Sequence, residues 1–337
     1  MWVDWKQKRL RLVIYLTLLS LFLGLALMIS LMIGSYALSP SQVLEALFYP
    51  RDPVARNIVL NYRLPRTLLA SVTGFVLGVS GGVIQSLTRN PLADPYIAGT
   101  ASGAALGAAV AFLVPFLPLF AVPFFAFGGG LSAVLLSLLL ARKAKAGPIG
   151  FILAGIAVGT FCSAVLMILL SLFSQRAHGI LSWLYGSFST STWTKAKIVV
   201  PLSTPAVLYL LAKARDLNLL LFGEEHASQL GIEAERLWKF SLVVSSFAVS
   251  VCISFSGIIG FVGLVGPHMV RLIVSSDNRF VLPLGGFTGA LMLLLSDILV
   301  RSPVNPFGEI PVGAITSMIG VPFFAYLLWR RGEKFGM

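Results

Sequence analysis

The stretch that decides the fold runs from Arg63 to Pro95, RLPRTLLASVTGFVLGVSGGVIQSLTRNPLADP. Charged residues make up only 11% of the chain, yet two arginines stand three residues apart at the mouth of an apolar run. That run is long enough for a helix crossing a bilayer, which takes about 20 mostly apolar residues. Pro65, between the arginines, suits a first helical turn, where its missing N–H leaves nothing unpaired. Gly74, Gly78 and Gly82 recur every fourth residue, a flat stripe on which another helix backbone can lie close. Gln85 sits near the far end, and Pro91 and Pro95 in RNPLADP prevent the helix from continuing.

The rest of the chain repeats this pattern. Apolar residues make up 57% of it and the mean hydropathy is +0.90, against roughly 45–50% apolar residues in soluble domains. These values predict an all-α polytopic membrane protein with about ten transmembrane helices and short broken or re-entrant segments. The expected spans are 12–34, 65–87, 97–114, 120–140, 149–173, 195–213, 236–256, 265–275, 281–300 and 311–329. The eighth is too short to cross alone and is expected to line protein rather than lipid. The third carries a second ladder, Gly99, Gly103 and Gly107, again suited to helix packing. The first run follows a basic start (Lys6, Lys8, Arg9, Arg11), but its apolar part exceeds the ~7–15 residues of a signal-peptide core and is read as a retained helix. One transmembrane domain is expected over 1–337.

The net charge of +12 would suit a nucleic-acid partner if the cations formed one patch, and they do not. With the N-terminus in the cytoplasm, 17 of the 25 Lys and Arg residues fall on the cytoplasmic side, including Arg89, Arg142, Lys143, Lys145, Lys213 and Arg215. That is the positive-inside asymmetry of a plasma-membrane protein with both termini inside. Arg63, Arg66 and Arg301 fall on the opposite side, against the bias. Trp183, Tyr185 and Trp193 suit an interfacial element on that outer face.

Several chemistries are missing. There is no G-x-x-x-x-G-K-[ST] phosphate loop and no H-E-x-x-H motif. His178, His226 and His268 fall in different segments, and Cys162 and Cys252 lie inside apolar runs. Neither a metal site nor a disulfide framework is implied. Asp297 lies within the ninth span, four residues before Arg301 on the same helical face. It reads as a structural ion pair or, more sharply, as a proton-coupling acid. The longest polar connection, 214–235, is amphipathic: Leu217, Leu220, Leu221 and Leu230 alternate with Glu224, Glu225, His226 and Gln229. Short surface helices there could cap the bundle or lay an apolar ridge in a partner's groove.

The segments RLPR, GGVIQSLTRNPLADP and GTASGAALGA, followed by GFVGLVGPHMVRL, DNRFVLPLGGFTGALMLLLSDILVR and GEIPVGAITSMIGVPFFAYLL, resemble in order the permease subunits of ABC importers for vitamin B12, iron-siderophores and haem. The resemblance covers about residues 40 to 330. It implies ten helices per subunit and pairing with a second copy or a homologous permease. It also implies two separate ATPase subunits on the cytoplasmic side and a substrate-binding protein outside. ATP and magnesium would then belong to the ATPase, with no cofactor on this chain. The 214–235 connection would be the coupling element, with Glu225, Ala227, Leu230 and Gly231 meeting the ATPase. Arg63, Arg66 and Arg301 would meet acidic residues of the binding protein. Ferric siderophore is the first expectation for cargo, with vitamin B12 and haem close behind. A stand-alone ion-coupled carrier is the competing reading, and an intramembrane enzyme a third.

Overall fold

The computed structural model describes residues 2–49, 52–144, 147–302 and 310–335, and every regular element among them is helical. In chain order these are α1 (Trp2–Met32), α2 (Pro40–Phe48), α3 (Pro53–Asn57), α4 (Leu64–Leu87), α5 (Thr100–Leu113), α6 (Val122–Lys143), α7 (Gly147–Leu172) and α8 (Ala177–Leu184). They continue with α9 (Trp193–Ala212), α10 (Ala214–Leu220), α11 (Glu224–Gln229), α12 (Ala234–Ser256), α13 (Val262–Ile273), α14 (Asn278–Arg301) and α15 (Val312–Phe335). Seven helical stretches are long and apolar enough to cross a membrane, those of α1, α3–α4, α6, α7, α9, α12 and α14. The shorter apolar helices α5 and α13 and the apolar part of α15 complete ten segments, one for each expected span. Lys145, counted among the inward-facing cations, lies outside the described residues.

The centre of the bundle is α4, α12 and α14, while α1, α6, α7 and α9 turn most of their surface outward. Glycine makes the centre possible. A Cβ on Gly74 would lie 2.8 Å from Ala290 Cα, and one on Gly78 would lie 2.8 Å from the Gly285 carbonyl carbon. The α4 stripe therefore meets a matching glycine stripe on α14, backbone against backbone. Gly103 and Gly107 face α6 in the same way, against Gly129 and Phe125. Gly99 serves differently. It stands at the start of α5 with φ +83, which an L side chain rarely adopts, and lies against Gly155 and Gly159 of α7.

Two helices are half-length. At 1.5 Å per residue, α5 spans about 21 Å and α13 about 18 Å, short of the ~30 Å hydrocarbon layer. The chain between α4 and α5 folds back into the protein, so that Pro95 packs on Gly263 at the start of α13. Tyr96 Oη donates to Ile259 O (2.8 Å), and Ser187 N donates to Ser256 O (2.8 Å). These bonds occupy the last carbonyl of α12, which ends at Gly257 (φ +73), and one in the irregular segment that follows it. Irregular backbone at this depth is tolerable because protein, not lipid, surrounds it. Phe261 has φ +66, unusual for a bulky residue, and its ring packs on Gly320 of α15.

Candidate functional site

At one end of the bundle the three arginines singled out in the sequence come together. They line a cavity of about 600 Å³ with Tyr36, Tyr62, Ser189 and Ser191. A π-helical turn, Ile58–Arg63, leads into α4, and Leu64 N donates five residues back to Val59 O. Pro65 has no N–H for the regular ladder, and this wider turn sits just ahead of it. Arg63 is buried at 5% exposure, and its guanidinium donates to Leu31 O (2.7 Å), Met32 O (2.8 Å) and Tyr36 O. It thereby caps the C-terminus of α1, whose last carbonyls have no helical partner. A Cβ on Gly34 would lie 2.9 Å from this guanidinium, so glycine leaves it room.

Asp297 is the hub of the cluster. It is fully buried and takes Arg66 Nε at 3.0 and 3.2 Å and Arg301 Nε at 3.0 Å. Arg301 also donates to Ser30 Oγ (2.6 Å) and Ser30 O (3.1 Å), and Ser30 Oγ pairs with Thr67 Oγ1 (2.6 Å). One carboxylate thus ties α14 to α4, and through Arg301 to α1. A desolvated ion pair is tolerable when further hydrogen bonds take up its remaining capacity, and Arg301 finds two of these on Ser30. Three guanidiniums against one carboxylate leave this cluster with two net positive charges. The Arg66 and Arg301 side chains are only 11% and 7% exposed, so they sit at the floor of the cavity rather than on a surface. Of these contacts, the sequence shows only the Asp297–Arg301 spacing. Arg66 lies 231 residues from Asp297, and backbone carbonyls leave no mark in a sequence.

The opposite end carries Arg142, Lys143, Lys213 and Arg279, with α10 and α11 lying across it. Leu217, Leu220 and Ala227 are buried beneath them, while Glu225, Phe222 and Leu230 are exposed, the last two at 74% and 66%. Phe222 was not among the sequence candidates, although an aromatic just before a glycine turn and two glutamates was a usable signal. Gly223 (φ +116) and Gly231 (φ +81) bracket α11, and neither would crowd a Cβ. Replacing Gly231 with valine therefore acts through backbone strain, of about 1–2 kcal/mol, not collision. The expected outcome of Gly231→Val is a tilted α11 and a lower midpoint of thermal unfolding in detergent, and an unchanged midpoint would show that this turn accepts an L side chain.

Asn218 pins α10 down, its amide donating to Asp277 Oδ1 (2.7 Å) and its Oδ1 accepting from Asn278 N (2.8 Å). Burial alone would push the Asp277 carboxyl up, but hydrogen bonds from Arg279 and Asn218 outweigh it and hold the group at about 2. It is therefore a carboxylate at any physiological pH.

The described residues thus form a multi-span helical bundle with a buried charge hub at one end and an amphipathic surface pair at the other. The chain belongs to the FecCD transport family, which matches residues 21–330. Relatives include the Fe(3+)-citrate import system permease of Bacillus subtilis (strain 168), 36% identical over 334 residues and 98% of each chain. The cobalamin import system permease of Halobacterium salinarum is 40% identical over 278 residues, 82% of this chain and 74% of the relative. A solved inward-facing structure of a metal-chelate type ABC transporter superposes with a TM-score of 0.83 at 32% identity, covering 93% of this chain and 97% of that one. The protein is thus a multi-pass membrane permease subunit, not itself a catalyst.

Proposed function

We propose that this chain is the permease of an ABC importer that moves a metal chelate inward by alternating access, with ATP hydrolysed on separate subunits. The observation that carries the reading is similarity over nearly the whole chain to ferric-citrate and cobalamin permeases and to a metal-chelate transporter structure. In this reading residues 1–337 are one permease domain with both termini in the cytoplasm. It pairs with a second copy or a homologous permease, and the cargo passes between them. Two ATPases seat the α10–α11 element in a cleft, met by Glu225, Leu230 and Gly231 and by the exposed Phe222, while Ala227, expected at this contact, is fully buried and seats α11 on the bundle instead. Ferric siderophore is the first cargo, ahead of vitamin B12 and haem, and the chain itself holds no cofactor.

The arginine cavity is the docking face for an extracytoplasmic binding protein. Its guanidiniums are sunk, so they act through the field that a low-dielectric cleft focuses outward, drawing in acidic side chains. Such steering changes the association rate more than the final affinity. Arg301→Gln removes one of the two uncompensated charges while keeping a donor for Ser30. The expected result is slower binding-protein association, with a weaker salt dependence, and unchanged ATPase association. An on-rate equal to wild type would end the docking assignment. For the cargo, calorimetric titration of the cognate binding protein with ferric siderophores, cobalamin and haem decides, and tight binding of a non-chelate ligand alone would overturn the chelate reading.

A further inference from the structure

Resting on the importer reading, we infer that Asn218 is a positioning residue that locks the α10–α11 surface element to α14, so that movement of that element is delivered to the bundle through a hydrogen-bonded joint. Three observations meet there. Asn218 uses both faces of its amide on the start of α14: the nitrogen donates to Asp277 Oδ1 (2.7 Å) and the oxygen accepts from Asn278 N (2.8 Å). Asp277 is itself the N-cap of α14, accepting from Arg279 N (2.9 Å). The fully buried Asn278 then accepts from Ser86 Oγ of α4 (3.0 Å) and from the Arg271 guanidinium of α13 (3.2 Å).

Helices α4 and α10 therefore join the consecutive pair α13 and α14 through one polar node at the basic end. An element held by the apolar contacts of Leu217 and Leu220 alone could slide over its bed, because such contacts have no preferred direction. A two-bond amide cannot slide without breaking. From this node α14 runs as one helix to Asp297 and Arg301 at the other end, packed along α4 backbone to backbone. The joint thus connects the ATPase-facing element to the helix that carries Arg301 and the Asp297 that holds Arg66.

The test uses the assembled importer in lipid nanodiscs and reads the ratio of ATP hydrolysis with docked binding protein to that without it. Asn218→Ala is expected to lower this ratio at least fivefold while the ATPase still co-purifies in wild-type amount. Asp277→Ser, which keeps an N-cap oxygen for Arg279 N but withdraws it from Asn218, is expected to lower the ratio likewise, and combining the two variants to lower it no further. A wild-type ratio in Asn218→Ala overturns the inference. So does a loss of ratio that tracks loss of co-purifying ATPase, or losses that add when the two variants are combined. Wild-type chain that binds no ATPase at all would instead refute the importer reading beneath it.

Discussion

Asp297→Ala is expected to destabilise the protein by about 3–5 kcal/mol, the range seen when one partner of a buried pair is removed. The reason is the charge left behind. Arg66 and Arg301 both point at the vacated carboxylate position and are largely withdrawn from water, so two guanidiniums would face each other with nothing between. The change should appear as a lower midpoint of thermal unfolding in detergent and a loss of monodisperse protein. Adding Arg66→Met should recover part of the loss, because one of the stranded charges is gone. An unfolding midpoint unchanged by Asp297→Ala would mean that water already reaches the cluster freely. A proton-coupling role for Asp297 makes a different forecast, in which transport fails but stability holds.

The second large effect is at the α4–α14 contact. Gly78→Val introduces a branched side chain where even a Cβ would press on the Gly285 backbone. Overpacking typically costs 1–3 kcal/mol. The upper part of that range or beyond applies here, since two backbones meet and no side chain can rotate away. Helices α4 and α14 must separate, and the Arg66–Asp297 bridge that joins their ends must lengthen. Gly128→Val on α6 is the matched control, with nothing within 4 Å of its Cβ position, and should change stability by no more than about 0.5 kcal/mol. Comparable losses in the two variants would show that glycine is needed for helix flexibility in general, not for this packing.

What could be seen in the sequence was what repeats or lies close along the chain. The ten apolar segments, the glycine spacing at Gly74 and Gly78, the broken segment that became α13, and the Asp297–Arg301 pair all have local signatures. The alternation of Leu217 and Leu220 with polar residues likewise announced a surface element, and both leucines are buried beneath it. Contacts made across the fold had no such mark. Arg63 looked like a surface cation because its acceptors are the backbone carbonyls of α1, present at every residue and visible at none. The union of Arg66 with Asp297 depends on α4 and α14 placed side by side by their glycine stripes, and that of Asn218 with Asp277 on α10 lying against the start of α14. Leu230 shows the converse limit: amphipathic spacing grouped it with the buried leucines, but the turn at Gly231 leaves it exposed. In the importer reading that exposed leucine, with Phe222, is the apolar surface offered to the ATPase.

The most direct measurement is uptake into proteoliposomes containing this chain and its cognate ATPase, with binding protein and radiolabelled metal chelate outside and ATP trapped within. Accumulation should require ATP, the ATPase and the binding protein together, and should persist when proton and sodium gradients are collapsed. Uptake that continues without the ATPase, or that follows an imposed ion gradient, would contradict an ATP-driven importer and favour a self-sufficient carrier.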